Sequence, residues 1–265
     1  EMVKYGAKVL GGCCGTTPAY VAKLKEMVAT ANASVVKKKP RQLAVCTPLK
    51  TVVVDQPRIV GERINPTGKK RFKQALRDND MNYILSQAIE QIDAGADILD
   101  VNVGSPDIDE KEMMVKVIKA LQAIVDVPLQ IDSTKPEVLE AALRVYNGKP
   151  IVNSVNGEEE VLDTILPIVA KYGGAVIGLA LDENGIPPTA EGRVEIAKRI
   201  RDKAMSYGIP KEDIIIDCLT LTVSAEQKAA AETLKAMNIV KNELGLRTVL
   251  GVSNISFGLP NREII

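Results

Sequence analysis

Histidine is absent from the 265 residues of this sequence. Histidine is the side chain whose ordinary pKa lies closest to neutrality, so its absence limits how the chain can move a proton. Proton transfer near pH 7 has to use carboxylates, lysines, tyrosines, cysteines or water. A Ser-His-Asp triad and a metal site with histidine ligands from this chain are therefore both excluded.

An excess of either charge is absent as well, because 34 Lys and Arg residues balance 34 Asp and Glu residues. This balance gives no electrostatic reason to expect binding to nucleic acid or to an anionic membrane, and it favours a small, mostly neutral ligand. No apolar run approaches the roughly 20 residues of a membrane span, and the N-terminus lacks the order of a signal peptide. We therefore expect a soluble, cytoplasmic protein.

Cysteine is scarce, with four residues in the chain, which is too few for a fold stapled by disulfides. Two of the four, Cys13 and Cys14, are adjacent and lie between glycines. Two thiolates at one strand end could supply two ligands of a tetrahedral zinc site, although zinc sites usually space their cysteines by two or more residues. The alternative is a pair of ordinary buried thiols, and the residues alone leave both interpretations open.

Short apolar runs, most of which carry Asp or Asn at or near their carboxyl ends, recur along most of the chain and predict the strands of one sheet. These runs are 59–61, 98–102, 127–134, 151–154, 175–181, 214–219 and 249–254. Helical spacing of apolar residues lies between them, at 81–94, 108–125, 136–146, 158–171, 190–206 and 225–244. Alternating strands and helices favour an α/β fold with a parallel sheet, either a barrel or a doubly wound sheet. The active sites of such folds lie at the carboxyl ends of the strands, where these polar residues fall.

The chain divides by composition into three parts. Residues 1–31 contain a strand candidate at 7–10 and a helix that begins at Thr17 and Pro18, and such a unit cannot bury its own faces. We interpret it as the end of an upstream domain. Residues 32–56 are typical of an interdomain linker with a short hairpin at its end. Residues 57–265 form the main domain, and we expect the eighth strand of a closed barrel to lie beyond Ile265.

Five polar motifs follow one another in the main domain at the spacing of barrel strands. They are GERIN at 61–65, DVNVG at 100–104, DST at 132–134, VNS at 152–154, and GVSNIS at 251–256, which is followed by Asn261 and Arg262. In this order they resemble the pterin-binding methyltransferase family, which includes the cobalamin-dependent methionine synthases and the corrinoid methyltetrahydrofolate methyltransferases. The resemblance implies a (β/α)8 TIM barrel of the dihydropteroate synthase-like type, with the pterin at the C-terminal face of the strands.

The resemblance also implies a set of pterin-contacting residues and a reaction. The implied residues are Glu62, Asn65, Asp100, Asn102, Asp132, Asn153, Asp217, Asn254 and Arg262. Asp132 would hydrogen-bond the pterin ring, and Asn254 would reach its N5 and act with Asp132 in catalysis. Asn65 precedes a proline and is also typical of a turn. The implied reaction moves the N5 methyl group of 5-methyltetrahydrofolate to cob(I)alamin, on the way to methionine from homocysteine.

The segment LGGCCGTT at 10–17 is similar to the end of the homocysteine-binding barrel that precedes the pterin barrel in methionine synthases. In that barrel the paired cysteines are two of three zinc ligands. The resemblance therefore implies zinc at Cys13 and Cys14 only together with a third, upstream ligand. It also implies a homocysteine domain upstream and a corrinoid-binding domain or protein as a partner, which would carry the cobalamin.

Two other functions stay open at this point. Dihydropteroate synthase shares the barrel and the pterin pocket, but its first loop is expected to follow the pattern Asn-Xaa-Thr-Pro-Asp-Ser-Phe. The first loop of this chain is Asn65-Pro66-Thr67-Gly68. The second alternative is a folate-binding module that has no chemistry of its own and presents the pterin to partner domains.

Overall fold

The computed structural model describes residues 2–7, 9–31, 41–224 and 228–264. The chain divides into two compact units, residues 1–41 and 42–265. The first unit contains a 3-10 turn at Met2–Tyr5 and helix α1 at Pro18–Ala29. The helix begins where the sequence predicts, because the Thr17 side chain accepts a hydrogen bond from the Tyr20 amide at 3.3 Å.

The strand predicted at 7–10 is wrong for the residues that can be described. Ala7, Val9 and Leu10 belong to no strand, and residue 8 lies outside the described residues. A strand needs a neighbour that pairs with its backbone groups, and the described part of this unit contains none. Val9 is 92% exposed, which agrees with a segment that has no sheet to pack against.

The second unit consists of a two-stranded antiparallel hairpin followed by a seven-stranded parallel sheet. The hairpin strands are β1 (Ala44–Cys46) and β2 (Thr51–Val53). The sheet strands are β3 (Val60–Ile64), β4 (Ile98–Val101), β5 (Leu129–Asp132), β6 (Ile151–Val155), β7 (Ala175–Leu179), β8 (Ile214–Asp217) and β9 (Arg247–Val249). Their order in the sheet follows their order in the chain, which confirms the predicted barrel-type α/β fold. The hairpin falls within the predicted linker.

The last strand differs from the prediction in its position. It was predicted at 249–254, but β9 covers 247–249, and Val252–Asn254 form a 3-10 turn instead. The neighbouring strand β8 ends at Asp217, which pairs with Val249. The residues after Val249 therefore have no strand to pair with on that side.

Helices alternate with the sheet strands. They are α2 (Lys70–Asp78), α3 (Met81–Asp93), α4 (Glu110–Ile124), α5 (Pro136–Val145), α6 (Glu159–Tyr172), α7 (Ala190–Ser206) and α8 (Ala229–Asn242). The predicted bounds of α3 to α7 agree within two residues, and the predicted start of the last helix at 225 lies outside the described residues. Helix α2 was not predicted from the sequence. None of the described helices combines the length and the apolar composition that crossing a membrane requires.

An apolar layer fills the inside of the sheet at the amino ends of its strands. Its buried members are Leu43, Val45, Val52, Ile98, Ile151, Ala175, Ile177 and Ile215. The first three come from the hairpin region, and Ile98, Ile151 and Ala175 are the first residues of their strands. The hairpin thus closes the amino-terminal end of the sheet, and the carboxyl end of the interior is left to polar residues.

Gly148 lies where the loop before β6 packs against the hairpin. We expect Gly148→Ala to destabilise the protein by about 2 to 4 kcal/mol. Its φ is +143°, and an added Cβ would lie 2.1 Å from the carbonyl oxygen of Cys46. That carbonyl accepts a hydrogen bond from the Lys149 amide at 3.0 Å, so the clash would part the two segments. Gly173→Ala is the matched control, because Gly173 has φ +72° and open space around it. We expect the control to cost about 1 kcal/mol in urea unfolding. Equal losses would show that the hairpin contributes little to stability.

Candidate functional site

Four polar side chains from neighbouring strands meet inside the sheet near its carboxyl edge. The Asn102 amide donates to Oδ2 of Asp132 at 2.9 Å, and the Asn153 amide donates to Oδ1 of Asp100 at 3.3 Å. Asp100 is 2% exposed, while the other three are half-buried. We call Asp100, Asn102, Asp132 and Asn153 the polar cluster. These four residues belong to the predicted set, and their binding of a ligand stays a prediction.

Strand register explains how the polar cluster forms. Strands β4 and β5 pair Asp100 with Gln130, and β5 and β6 pair Asp132 with Asn153. Side chains two residues apart on a strand share a face, so Asn102 joins the face of Asp100, and Asp132 that of Gln130. Residues that lie far apart in the sequence are therefore brought together by backbone pairing.

The two carboxylates of the cluster influence each other. Burial raises the pKa of Asp100 to about 7, and the charge of Asp132 adds to the rise, while hydrogen bonds from Gln130 and Asn153 oppose it. Burial is also the main cause that raises the pKa of Asp132, and the charge of Glu62 contributes. Asp100 can consequently hold a proton near neutral pH, a role that histidine often fills in other proteins and that no residue of that type can fill here.

One contact of the polar cluster and a group of contacts beside it were not predicted from the sequence. Gln130 is 5% exposed, and its amide donates to Oδ1 of Asp100 at 2.6 Å. The Ser133 hydroxyl donates to Glu110 at 2.6 Å, and Glu110 pairs with Lys135 at 2.9 Å. Gln130 could have been found, because it is a polar residue within an apolar run and two positions before a predicted site aspartate. Glu110 opens α4, and no local pattern marks it.

Asp217 and Glu62 lie on other strands of the same sheet. Asp217 is the last residue of β8 and accepts a hydrogen bond from the Leu219 amide at 2.8 Å. Burial raises the pKa of its carboxyl group. Glu62 on β3 is exposed, and its carboxylate lies 3.6 Å from the Lys69 ammonium group. Within the described residues, neither is hydrogen-bonded to the polar cluster.

Three predicted site residues lie in loops. The side-chain oxygen of the buried Asn65 accepts a hydrogen bond from the Thr67 amide at 2.8 Å, which is the geometry of a turn. Asn254 is exposed in the 3-10 turn after β9. Arg262 donates to the Ser253 carbonyl at 2.9 Å and so braces that turn. Contact of these three residues with a pterin stays a prediction.

Cys13 and Cys14 are exposed in the first unit, and their Sγ atoms are 3.8 Å apart. Two thiolates on a tetrahedral zinc ion, each about 2.3 Å from the metal, also lie about 3.8 Å apart, so the pair fits one edge of such a site. Hydrogen bonds from Cys14 lower the pKa of Cys13, which favours the thiolate. The described residues contain no group of three or more His, Cys, Asp or Glu side chains placed to hold a metal. The need for a further ligand therefore stays part of the prediction.

The seven-stranded parallel sheet and the match to a protein-family model define the class of protein. Residues 61–263 match the family described as pterin binding enzyme, and the chain belongs to this family. Residues 1–28 match the family described as homocysteine S-methyltransferase.

Among curated relatives, the methionine synthase of Mycobacterium leprae (strain TN) is 34% identical over 276 residues, which cover 97% of this chain and 23% of that protein. The methionine synthase of Mycobacterium tuberculosis is 33% identical over 276 residues, which also cover 97% of this chain and 23% of that protein. The predicted resemblance to methionine synthases is thus confirmed. The chain spans about a quarter of the length of these relatives.

The solved structures that match include dihydropteroate synthases. The enzyme of Xanthomonas albilineans with 4-aminobenzoic acid has a TM-score of 0.61 and 21% identity, covering 79% of this chain and 77% of that chain. The Yersinia pestis enzyme has a TM-score of 0.60 and 16% identity, covering 84% of each. At such identities the likeness shows the fold alone, and it confirms the predicted barrel type.

Proposed function

We propose that this chain binds 5-methyltetrahydrofolate at the carboxyl edge of its sheet and acts as a methyltransferase domain. In this proposal it supports transfer of the N5 methyl group to cob(I)alamin, as part of methionine synthesis from homocysteine. The observation that carries the proposal is the polar cluster, in which carboxylates and amides converge above an apolar floor. The similarity to methionine synthases supports the choice of substrate.

The chemistry of the polar cluster suits the edge of a pterin ring. That edge presents N–H donors beside ring-nitrogen and carbonyl acceptors, and carboxylates and amides match such a row with directional bonds. Asn102 occupies Oδ2 of Asp132, so Oδ1 can accept from a pterin N–H. The amide of Asn153 can both donate and accept, and Asp217 adds a further carboxylate. In the proposal these residues bind the ring, and Glu62 and Asn65 complete the pocket.

The proposed reaction breaks the bond between N5 and its methyl carbon. The methyl group passes to cob(I)alamin, which supplies the nucleophile, and N5 keeps the electron pair and gains a proton. An amine anion leaves poorly, so a hydrogen bond or proton delivered to N5 lowers the barrier. We assign the hydrogen bond to Asn254, with Arg262 bracing its turn, and the proton to a network centred on Asp132. Asp100 can hold a proton beside it.

The proposal assigns the remaining parts of the chain and its partners. Residues 1–31 are the end of a homocysteine-binding domain, residues 32–56 a linker, and residues 57–265 the pterin-binding domain. Cys13 and Cys14 supply two thiolates to a zinc ion whose further ligand belongs to that upstream domain. Cobalamin is carried by a corrinoid-binding partner domain or protein. The match of residues 1–28 to a homocysteine S-methyltransferase model supports this arrangement.

A single-turnover assay with free cob(I)alamin tests the proposed function. The protein is mixed with 5-methyltetrahydrofolate labelled in the methyl group, and label on the corrinoid and free tetrahydrofolate are measured against time. We expect both products in equal amounts, at a rate well above the reaction without protein. The matched assay offers 4-aminobenzoic acid and a dihydropterin diphosphate, and we expect no dihydropteroate. Folate binding without transfer would instead support a module that has no chemistry of its own, and dihydropteroate formation would overturn the proposal.

A further inference from the structure

Arg193 is a buried cation that takes no part in the polar cluster. It lies in the first turn of α7 and is 1% exposed, which is rare for a guanidinium group. Burial of a charge is costly unless hydrogen bonds replace its water. Its partners are backbone and hydroxyl oxygens, and within the described residues no carboxylate forms an ion pair with it. Nε and Nη1 are held by these neutral oxygens, while the buried Nη2 has no hydrogen-bond partner among the described residues.

Two of the four hydrogen-bond partners of Arg193 lie on the loop that follows β8. One nitrogen, Nη1, donates to the carbonyls of Cys218 at 2.9 Å and Leu219 at 3.0 Å, and to the Thr233 hydroxyl at 2.7 Å. Nε donates to the Pro187 carbonyl at 3.0 Å. A planar guanidinium can reach acceptors on several segments at once, which the single ammonium of lysine cannot do. The arginine thus ties α7, α8 and the β8 loop together.

Leu219 is the residue through which Arg193 can act on the site. Its φ is +61°, a left-handed conformation that costs a non-glycine residue about 1 kcal/mol and needs support from its surroundings. Its carbonyl accepts from Arg193, and it shares the single proton of the Thr233 hydroxyl, at 3.0 Å, with the Ala229 carbonyl at 2.9 Å. Its amide donates to the Asp217 carboxylate at 2.8 Å. Both ends of this one residue are fixed, one by the buried cation and the other by a site carboxylate.

We infer that Arg193 is a positioning residue that sets the orientation of the Asp217 carboxylate through Leu219, with Thr233 as its helper. The inference rests on the proposed function, in which Asp217 contacts the pterin. Without the cation, the Leu219 carbonyl loses its strongest donor, and the residue can return to an ordinary conformation. The Leu219 amide then turns away from Asp217, and the carboxylate is free to take up other rotamers.

A double-mutant cycle tests the inference. We expect Arg193→Met and Asp217→Asn each to raise the Kd for 5-methyltetrahydrofolate about tenfold, and the double variant to lose no more than Asp217→Asn alone. Arg193→Lys should recover part of the loss. Arg199→Met is the matched control on the same helix, because Arg199 donates to the Gly157 carbonyl at 2.9 Å in a different loop, and it should bind folate as the parent does. Losses that multiply in the double variant would overturn the inference.

A measurement without folate separates this inference from the proposed function. The NMR signal of the Leu219 amide should follow the titration of Asp217 in the parent, and Arg193→Met should abolish this dependence and speed exchange of that amide. Thr233→Val removes one donor at nearly constant volume and should weaken the dependence even if Arg193→Met fails to fold. A parent that binds no folate but shows these changes would refute the proposed function alone. An unchanged Leu219 amide in Thr233→Val, and in Arg193→Met where it folds, would overturn the positioning role.

Discussion

Asn254→Ala is expected to slow methyl transfer at saturating 5-methyltetrahydrofolate by about tenfold to a thousandfold, which corresponds to roughly 1.4 to 4 kcal/mol of transition-state stabilisation. The reason is that N5 becomes more basic as the methyl group leaves, so a hydrogen bond to it strengthens along the reaction. An interaction that is stronger in the transition state than in the ground state changes the rate more than the affinity. We therefore expect the Kd for folate to change much less than the rate.

Because Asn254 is exposed, its substitution should change the reaction without changing the fold. The residue lies in a short turn and is not buried in the core, so truncation should leave the fold intact. Asn242→Ala is the matched control, because Asn242 is also exposed but lies at the end of α8 and bonds to Asn238. Single-turnover transfer and folate titration of both variants separate rate from binding. Transfer at the parent rate by Asn254→Ala would remove that residue from the reaction.

Asp100→Asn is expected to flatten the dependence of folding stability on pH between about pH 4 and pH 8. Burial raises the pKa of Asp100 from 3.8 to about 7 in the folded protein. A raised pKa means that the folded state binds the proton more tightly than the unfolded state does. The stabilisation from the neutral carboxyl is therefore complete below about pH 4 and is lost as pH rises through about 7. This pKa shift corresponds to a change in the free energy of unfolding of at most about 4 kcal/mol.

Asparagine keeps the shape of Asp100 and can still accept the bonds from Gln130 and Asn153, but it never ionises. Urea unfolding of parent and variant at several pH values gives the difference in free energy of unfolding. We expect the variant to gain stability relative to the parent as pH rises from 4 to 8, since only the parent then carries a buried charge. A difference in free energy of unfolding that does not change with pH would show that the pKa of Asp100 is the same in the folded and unfolded protein.

The sheet was predictable because its signals are local. Short apolar runs with polar ends gave the number and order of the parallel strands, and α7 was predicted with the bounds that it has. Helix α2 was missed because a basic run after a Pro-Thr-Gly loop resembles a continued loop. Its apolar face is limited to Phe72, Ala75 and Leu76. These three residues are too few to give a helical pattern in the sequence, although all of them pack into the core.

The candidate site could be predicted from the sequence only at positions covered by the family resemblance or by the two-residue periodicity of the strands. Asp100, Asn102, Asp132 and Asn153 meet as expected because register brings equivalent strand positions together. The position of Asn254 outside β9 was not predictable, since it depends on where the neighbouring strand stops. Likewise, no sequence pattern connects an arginine on one helix with the loop after a strand. Such contacts depend on tertiary packing, which a reading of local periodicity does not contain.

The central claim is that the polar cluster binds a reduced pterin, and calorimetric titration of 5-methyltetrahydrofolate into Asp132→Ala tests it most directly. The substitution removes an acceptor and leaves the Asn102 amide without its partner, so we expect the Kd to rise about 5- to 150-fold, or about 1 to 3 kcal/mol. Asp202→Ala is the control, because Asp202 is exposed on α7 and bonds to Arg201 at 2.7 Å. The claim predicts parent affinity for the control and weakened binding for Asp132→Ala. A folded Asp132→Ala variant that binds with the affinity of the parent would contradict it.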